Sequence, residues 1–277
     1  MAHILRHGDK FISRDNTKFK KKSLGQNFLN DYLLAEQIVG AAEIGPSSTV
    51  LEIGPGAGSI TKWIYDSNPK RGILVEKDNR FIQDLKINFP DFQVINEDFC
   101  EIYLSKLLNS PDERFVILGN LPYNVSTKIL EHLIGYQDVI DRMVLMFQKE
   151  VGERIYAPVG DADYGRLTLL SQEFFKTEEL FIIKPESFTP SPKVDSAVVL
   201  FSKREKPLIE LKNRRLYDNI IKQVFSNRRK MIRRSLRALY SEEQLNELFN
   251  RIGLDPTKRP QDLTIQEFAL ISNTLSS

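Results

Sequence analysis

Residues 49–58, TVLEIGPGAG, run a string of β-branched and large apolar residues straight into three glycines at alternate positions. The string reads as a buried strand, Thr49–Ile53. Gly54, Gly56 and Gly58 allow a sharp turn and a close backbone approach to a ligand, before a helix from about Ser59. The spacing is G-x-G-x-G, and Ser59 stands where a G-x-G-x-x-G fingerprint has its last glycine. A strand that feeds a helix through such a turn is the repeating unit of a parallel, helix-covered sheet.

Six further strands follow the same punctuation. Gly72–Val75 ends on Glu76, about 20 residues past the glycines, where an acid grips ribose hydroxyls. Phe92–Asn96 leads into Glu97-Asp98-Phe99. Asp98 either accepts from an adenine amine or caps a helix. Phe115–Leu118 stops on GNLPY, and a helix begins near Ser126. Met143–Gln148, Leu180–Ile183 and Val198–Ser202 complete the set. Alternation of strands and helices predicts an α/β fold with a mostly parallel sheet. The last two strands have no room for a helix between them, so they form an antiparallel pair.

GNLPY carries the chemistry. Pro122 has no N–H and biases Leu121 toward an extended conformation, which frees nearby carbonyls from the sheet ladder. Asn120 adds a side-chain acceptor and Tyr123 a flat face. That set suits a planar base with an exocyclic amine, and equally a strand-ending turn with an Asn cap. In open α/β sheets this end of a strand is where ligands bind.

The 277 residues, 41% hydrophobic, suit a larger domain plus a smaller one. Cys100 is the only cysteine and reads as a small core residue. His3, His7 and His132 lie in no metal-ligand spacing, so no metal is expected. No apolar run approaches the ~20 residues of a membrane span, and no secretory signal opens the chain, so a cytoplasmic protein is expected. The net charge of +2 conceals an asymmetry. Residues 1–22 hold seven Lys/Arg against two Asp, residues 207–277 hold 13 Lys/Arg against eight Asp/Glu, and the middle is acidic. Basic arms around an acidic body suggest a nucleic-acid grip, or merely solvated faces.

Residues 1–22 read as a basic, mobile arm whose Lys18, Lys20, Lys21 and Lys22 are available for phosphates. SLGQNFL follows, then Asn30 or Asp31 as N-cap of a helix through Ala42. The loop 188–196, FTPSPKVDS, is stiffened by two prolines. Its Phe188 is either a hydrophobic plug or a second ring for a flipped base, and Lys193 can reach a phosphate. Pro207 and the charge run before it mark a linker that closes a 23–206 domain. Beyond it helices are expected over Arg214–Ser226 and Arg228–Tyr240, then from Ser241 (a capping box) and from Thr264. Segment 225–237 holds Arg228, Arg229, Lys230, Arg233, Arg234 and Arg237 with no acid. Such a helix can lie on a membrane or bind calmodulin, but beside a base-binding body RNA is the better partner.

KKSLGQNFL, LEIGPGAGSIT, VEKD, Asp98, GNLPYNVST, FTPSPKVDSAVV and FSNRRKMIRRSL, in this order, resemble the ribosomal RNA adenine dimethyltransferase family from about Lys21 to the end of the chain, closest to its small-subunit branch. The resemblance implies a class I methyltransferase: a Rossmann-like, seven-stranded sheet with an antiparallel last strand, plus a small all-helical C-terminal RNA-binding domain. It implies S-adenosylmethionine as cofactor, held by Asn27, Leu29, Gly54, Glu76, Asp98 and Asn120, with Gly56 in the same glycine turn. It implies dimethylation of adenosines of 16S rRNA in the small ribosomal subunit or its precursor, by a monomer. Asn120, Leu121, Pro122 and Tyr123 would be the catalytic stretch, with Phe188 opposite Tyr123. Lys21, Lys22, Lys193 and the basic residues of 228–234 would hold RNA. Ala57 and Ser59 depart from the commoner glycine turn, and Phe99 from the usual Ala, which sets bulk beside the adenine site. Two other readings are a DNA adenine methyltransferase and a non-catalytic assembly factor on the same fold.

Overall fold

A computed structural model describes residues 27–276. Nine strands and ten α-helices are described: β1 (Phe28–Leu29), α1 (Tyr32–Ala41), β2 (Thr49–Ile53), α2 (Thr61–Asp66), β3 (Arg71–Val75), α3 (Asn79–Asn88), β4 (Gln93–Ile95), β5 (Phe115–Asn120), α4 (Ser126–Ile134), β6 (Ile140–Gln148), α5 (Lys149–Tyr156), α6 (Arg166–Phe174), β7 (Phe175–Ile183), β8 (Phe188–Thr189), β9 (Ser196–Lys203), α7 (Arg214–Phe225), α8 (Ile232–Leu236), α9 (Glu242–Ile252) and α10 (Ile265–Leu275).

Seven strands form one sheet in the order β4-β3-β2-β5-β6-β9-β7. Pairs from β4 to β6 are parallel, and β9 is antiparallel to both β6 and β7. The last two long strands do pair antiparallel, but β9 enters between β6 and β7. Alternate residues serve the two faces. Phe115 and Ile117 of β5, with Met143, Leu145 and Phe147 of β6, face one apolar cluster. Leu118, Val144 and Met146 face another, with Ile38 and Val39 of α1. Both faces are therefore covered, as parallel strands require.

Register positions the site. Ile53 pairs with Val75 on one side and with Gly119 on the other, so Gly54, Glu76 and Asn120 leave the sheet side by side. Local caps agree with the sequence. Asp31 accepts from the N–H groups of Leu33 and Leu34, Ser241 with Gln244 closes a capping box, and so does Thr264 with Glu267.

α7 to α10 surround a separate apolar core built on Tyr217, Ile221, Ile232, Leu236, Leu248 and Phe268. Ala157, Tyr164 and Leu169, which precede β7, join it. The helices are thus packed onto the sheet body through α5 and α6. Arg214 donates to the buried carboxylate of Glu173 (2.8 Å to Oε2) across the same junction. Pro207 does not open a free linker, because Leu208 N–H donates to Glu173 O (2.9 Å) and Ile209 is buried.

The basic helix expected over 228–240 is shorter. Asn227–Lys230 is a turn, Met231 is extended, and only Ile232–Leu236 is α-helical. The N–H groups of Ile232 and Arg233 donate to the carbonyls of Lys258 and Pro256. The break lets Ile232 and Leu236 turn into the core, where both are fully buried.

Candidate active site

A cleft runs along the carboxyl ends of β2 to β5. Its lining includes Gly54, Gly56, Glu76, Asp98, Phe99, Asn120, Leu121 and Pro122, with Asn27 and Leu29 alongside. Lys21 and Lys22 lie outside the described residues.

Gly54 and Gly56 have φ of 67° and 53°, a region that disfavours side chains, and Gly54 N–H donates to Val75 O (2.9 Å). A Cβ on Gly56 would stand 2.8 Å from the Phe28 ring, which packs directly on the turn, whereas nothing lies within 4 Å of a Cβ on Gly54. Glu76 is buried and ties the turn to β3. Its Oε2 accepts from Gly56 N–H (2.9 Å) and its Oε1 from Asp78 N–H (2.7 Å). Burial raises its pKa, opposed by these two N–H groups. Each oxygen keeps a lone pair for a further donor.

Asp98 takes the capping reading and also lines the cleft. Its Oδ1 caps the turn Phe99–Glu101 through Cys100 N–H (3.0 Å), and its Oδ2 accepts from Lys77 Nζ (2.8 Å). The Lys77 ammonium holds the Asp98 carboxyl below the usual range. Phe99 is buried in the wall, edge-on to His132. Cys100, expected in the core, is half-buried and lines the cleft.

Asn120 donates from Nδ2 to Asn27 O (2.8 Å). That bond uses one of the two amide N–H groups and leaves Oδ1 free to accept. Leu121 N–H still reaches Met146 O (3.4 Å), so the Leu121 carbonyl stands just past the last paired residue of β5. Pro122 O accepts from Val125 N–H (3.0 Å) and turns the chain into α4. Tyr123 is half-buried beyond the cleft wall, and its hydroxyl pairs with that of Ser196 at 2.6 Å.

Phe188 occupies the plug position rather than a face opposite Tyr123. It is 3% exposed, pairs with Leu29 in the small β1–β8 ribbon, and packs on the core under α1. SLGQNFL carries half of that ribbon, and an isolated two-residue strand has no periodicity to reveal it.

Glu52 was not singled out from sequence. It is 2% exposed, it lines the cleft, and its Oε2 has no hydrogen-bond partner among the described residues. Burial pushes its carboxyl up to about 8, with Thr61 opposing and Glu76 adding to the rise. A strand residue flanked by Leu51 and Ile53 reads as sheet interior, so only the cleft exposes its role.

The cleft fits S-adenosylmethionine. The cofactor brings hydroxyl, amine and ammonium donors and a sulfonium, and the floor offers the orphaned Glu52 oxygen, Glu76 and the glycine cradle. Leu29, Ile53, Phe99 and Ile129 supply apolar walls.

The basic residues separate by partner. Arg228 donates to Tyr164 O (2.6 Å) and to Ala162 O, which braces the loop before α6. Arg233 donates to Glu242 (2.7 Å) and Asn246 (2.6 Å). Arg229, Lys230, Arg234 and Lys193 are exposed, with no side-chain partner among the described residues. No helix among the described residues is long and apolar enough to cross a membrane.

Comparison with known proteins gives a consistent set of similarities. The family model described as ribosomal RNA adenine dimethylase matches residues 17–277. Ribosomal RNA small subunit methyltransferase A of Pelagibacter ubique is 39% identical over 247 residues, 88% of this chain and 92% of that protein. Its counterpart from Phocaeicola vulgatus is 37% identical over 262 residues, 93% of this chain and 90% of that one. Among solved structures, a dimethyladenosine transferase from Plasmodium falciparum superposes with a TM-score of 0.75 at 25% identity, covering 88% of this chain and 95% of that chain. The 23S rRNA methyltransferase ErmE gives 0.69 at 25% identity, covering 91% and 100%.

Proposed function

Since this chain belongs to the ribosomal RNA adenine dimethylase family and is an S-adenosylmethionine-dependent rRNA adenine dimethyltransferase, we propose that its substrate is 16S rRNA in the small ribosomal subunit or its precursor, and that Asn120 and the Leu121 carbonyl receive the target amine. The small-subunit relatives support the choice of RNA. One observation supports this assignment of chemistry: Asn120 Nδ2 donates to Asn27 O (2.8 Å), which anchors the amide and leaves Oδ1 free to accept.

The cofactor supplies a methyl on a cationic sulfur that departs as a neutral thioether, so no acid is needed. The adenine amine is a poor nucleophile, because its lone pair is delocalised into the ring. Asn120 Oδ1 and Leu121 O accept its two N–H bonds and draw the hydrogens out of the ring plane. The lone pair is then free to form the N–C bond, and the same oxygens stabilise the positive charge that develops on nitrogen. The proton lost afterwards goes to water. For the second methyl, one acceptor suffices, since the monomethyl amine has one N–H left. Tyr123 offers the stacking face that holds a base withdrawn from its helix. Glu76 and Asp98 hold the cofactor's ribose and adenine. The exposed Arg229, Lys230, Arg234 and Lys193 hold the RNA backbone, with 207–276 as the RNA-binding part and 27–206 as the catalytic part. The protein acts as a monomer in the cytoplasm.

Tritiated methyl transfer to purified small-subunit particles, with DNA and large-subunit RNA as controls, tests this reading. Labelling of either control in preference to the particles overturns the substrate assignment.

Glu76→Ala is expected to weaken cofactor binding by at least ~1.5–3 kcal/mol, the value of a lost charged hydrogen bond. Glu76→Gln, which keeps the shape but loses the charge, should fall between the two. Calorimetry on folded variants reads the effect, and parent affinity in both removes Glu76 from the cofactor site.

The RNA surface is tested by salt. Phosphate contacts position a protein without reading bases. Arg229→Ala with Arg234→Ala should weaken particle binding and flatten the log–log salt dependence by about one unit for each phosphate no longer neutralised, with cofactor affinity unchanged. An unaltered slope would mean that these side chains are only solvated.

A further inference from the structure

Tyr123 is anchored at the far end of its ring by a residue 73 positions along the chain. Its hydroxyl and that of Ser196 are 2.6 Å apart, and the Ser196 hydroxyl has no other partner among the described residues. Ser196 opens β9, is 0% exposed, and pairs with Gln148 of β6 and Ile183 of β7. Its oxygen is therefore held by the interior of the sheet, not by a loop. The residue before it is braced separately, since Lys149 N–H donates to Asp195 O (2.9 Å) and Lys184 pairs with the Asp195 carboxylate (2.7 Å).

Tyr123 has no comparable restraint of its own. It lies between Pro122 and α4, half-buried, and its first torsion chooses among staggered wells. The phenol oxygen lies on the ring's own axis, so a hydrogen bond there fixes where that axis points and keeps the ring in one well. Burial raises the phenol's pKa, so it keeps its proton at neutral pH. With Phe188 buried within the β1–β8 ribbon, Tyr123 is the aromatic face of the NLPY stretch whose position a stacked base depends on.

We propose that Ser196 is a positioning residue for methyl transfer, its hydroxyl holding the Tyr123 ring in the position at which the target adenine stacks on it. The inference rests on the stacking role given to Tyr123 above. Ser196 itself does not line the cleft and touches no reacting atom. Its effect is thus expected in the rate of the bound complex, where near-attack geometry counts, and not in cofactor affinity.

The test is a double-mutant cycle on single-turnover methyl transfer to small-subunit particles, with cofactor affinity measured by calorimetry. Ser196→Ala and Tyr123→Phe should each slow transfer about five- to twentyfold, with cofactor affinity unchanged within about twofold. The double variant should be no slower than the slower single, because both remove the same bond. Multiplying losses, or parent rates in folded single variants, overturn the proposal. Tyr123→Phe keeps the test decisive if Ser196→Ala folds poorly, since its ring and backbone are unchanged. Tyr123→Ala separates the two readings. If it alone transfers at the parent rate, the stacking role fails. If it is slow while Ser196→Ala and Tyr123→Phe are not, only the positioning role fails.

Discussion

Asn120→Ala is expected to slow single-turnover methyl transfer about 10²–10³-fold, with a far smaller change in RNA binding. The magnitude is that of removing one preorganised group aimed at developing transition-state charge. Asn120 suits that role because one amide N–H is anchored on Asn27 O at 2.8 Å, which restrains the amide before the amine arrives. Alanine also releases Asn27, and Asn120→Asp separates the two effects. Aspartate loses the same bond to Asn27 but keeps an acceptor, so it should transfer methyl faster than alanine. Equal rates for the two variants would assign the loss to the Asn27 bond, and a parent rate for alanine would make Asn120 a structural cap.

The second large effect concerns pH. Glu52 ionises in the unfolded chain near the usual carboxylate value but stays protonated in the folded protein to about 8. A folded-state pKa raised in this way gives stability that is fully present below the unfolded value and is lost as pH rises through the folded one. Between pH 5 and 8.5 the cofactor-free protein should lose on the order of 3 kcal/mol through this group. In a chain of this size that corresponds to a melting temperature lower by about 5–10 °C. Glu52→Gln keeps the volume and cannot ionise, so its melting temperature should vary less over the same range and exceed the parent's at pH 8.5. Parallel pH curves for parent and variant would show that Glu52 is already ionised in the folded protein. A cationic ligand in the cleft favours the carboxylate, so saturating S-adenosylmethionine should reduce the parent's loss.

The two cases show different kinds of legibility. Asn120 stands out in the sequence, because an amide before Leu-Pro-Tyr at a strand end suits a base-binding turn as well as an ordinary cap. Glu52 does not, because in TVLEI it is one polar residue in an apolar run. Its environment is set by Thr61 in the next helix and by Glu76 across the sheet. Arg228 and Arg233 mislead in the opposite direction. They sit in a run with no acid of its own, yet their partners are Ala162, Tyr164, Glu242 and Asn246, from other segments.

From sequence alone came the βα alternation, the seven sheet strands (with β7 beginning five residues before its expected start), the glycine turn, a cap at Asn30 or Asp31 and those at Ser241 and Thr264, and the strand-end positions of Glu76, Asp98 and Asn120. All of these rest on local forces: side-chain periodicity, glycine's access to positive φ, and hydroxyls or carboxylates that cap the backbone two or three residues on. Only the tertiary structure placed β9 between β6 and β7, and buried Phe188 within the β1–β8 ribbon. It alone cut the basic helix to Ile232–Leu236, turned the Asn120 amide toward Asn27, and brought Ser196 to Tyr123. Those outcomes join residues tens to more than a hundred positions apart or, for α8, depend on the 256–258 carbonyls. Chain order does not encode which of several compatible partners a strand edge, a ring or an amide will meet. Register across the sheet does, because a shift of one residue would send each of these side chains to the opposite face.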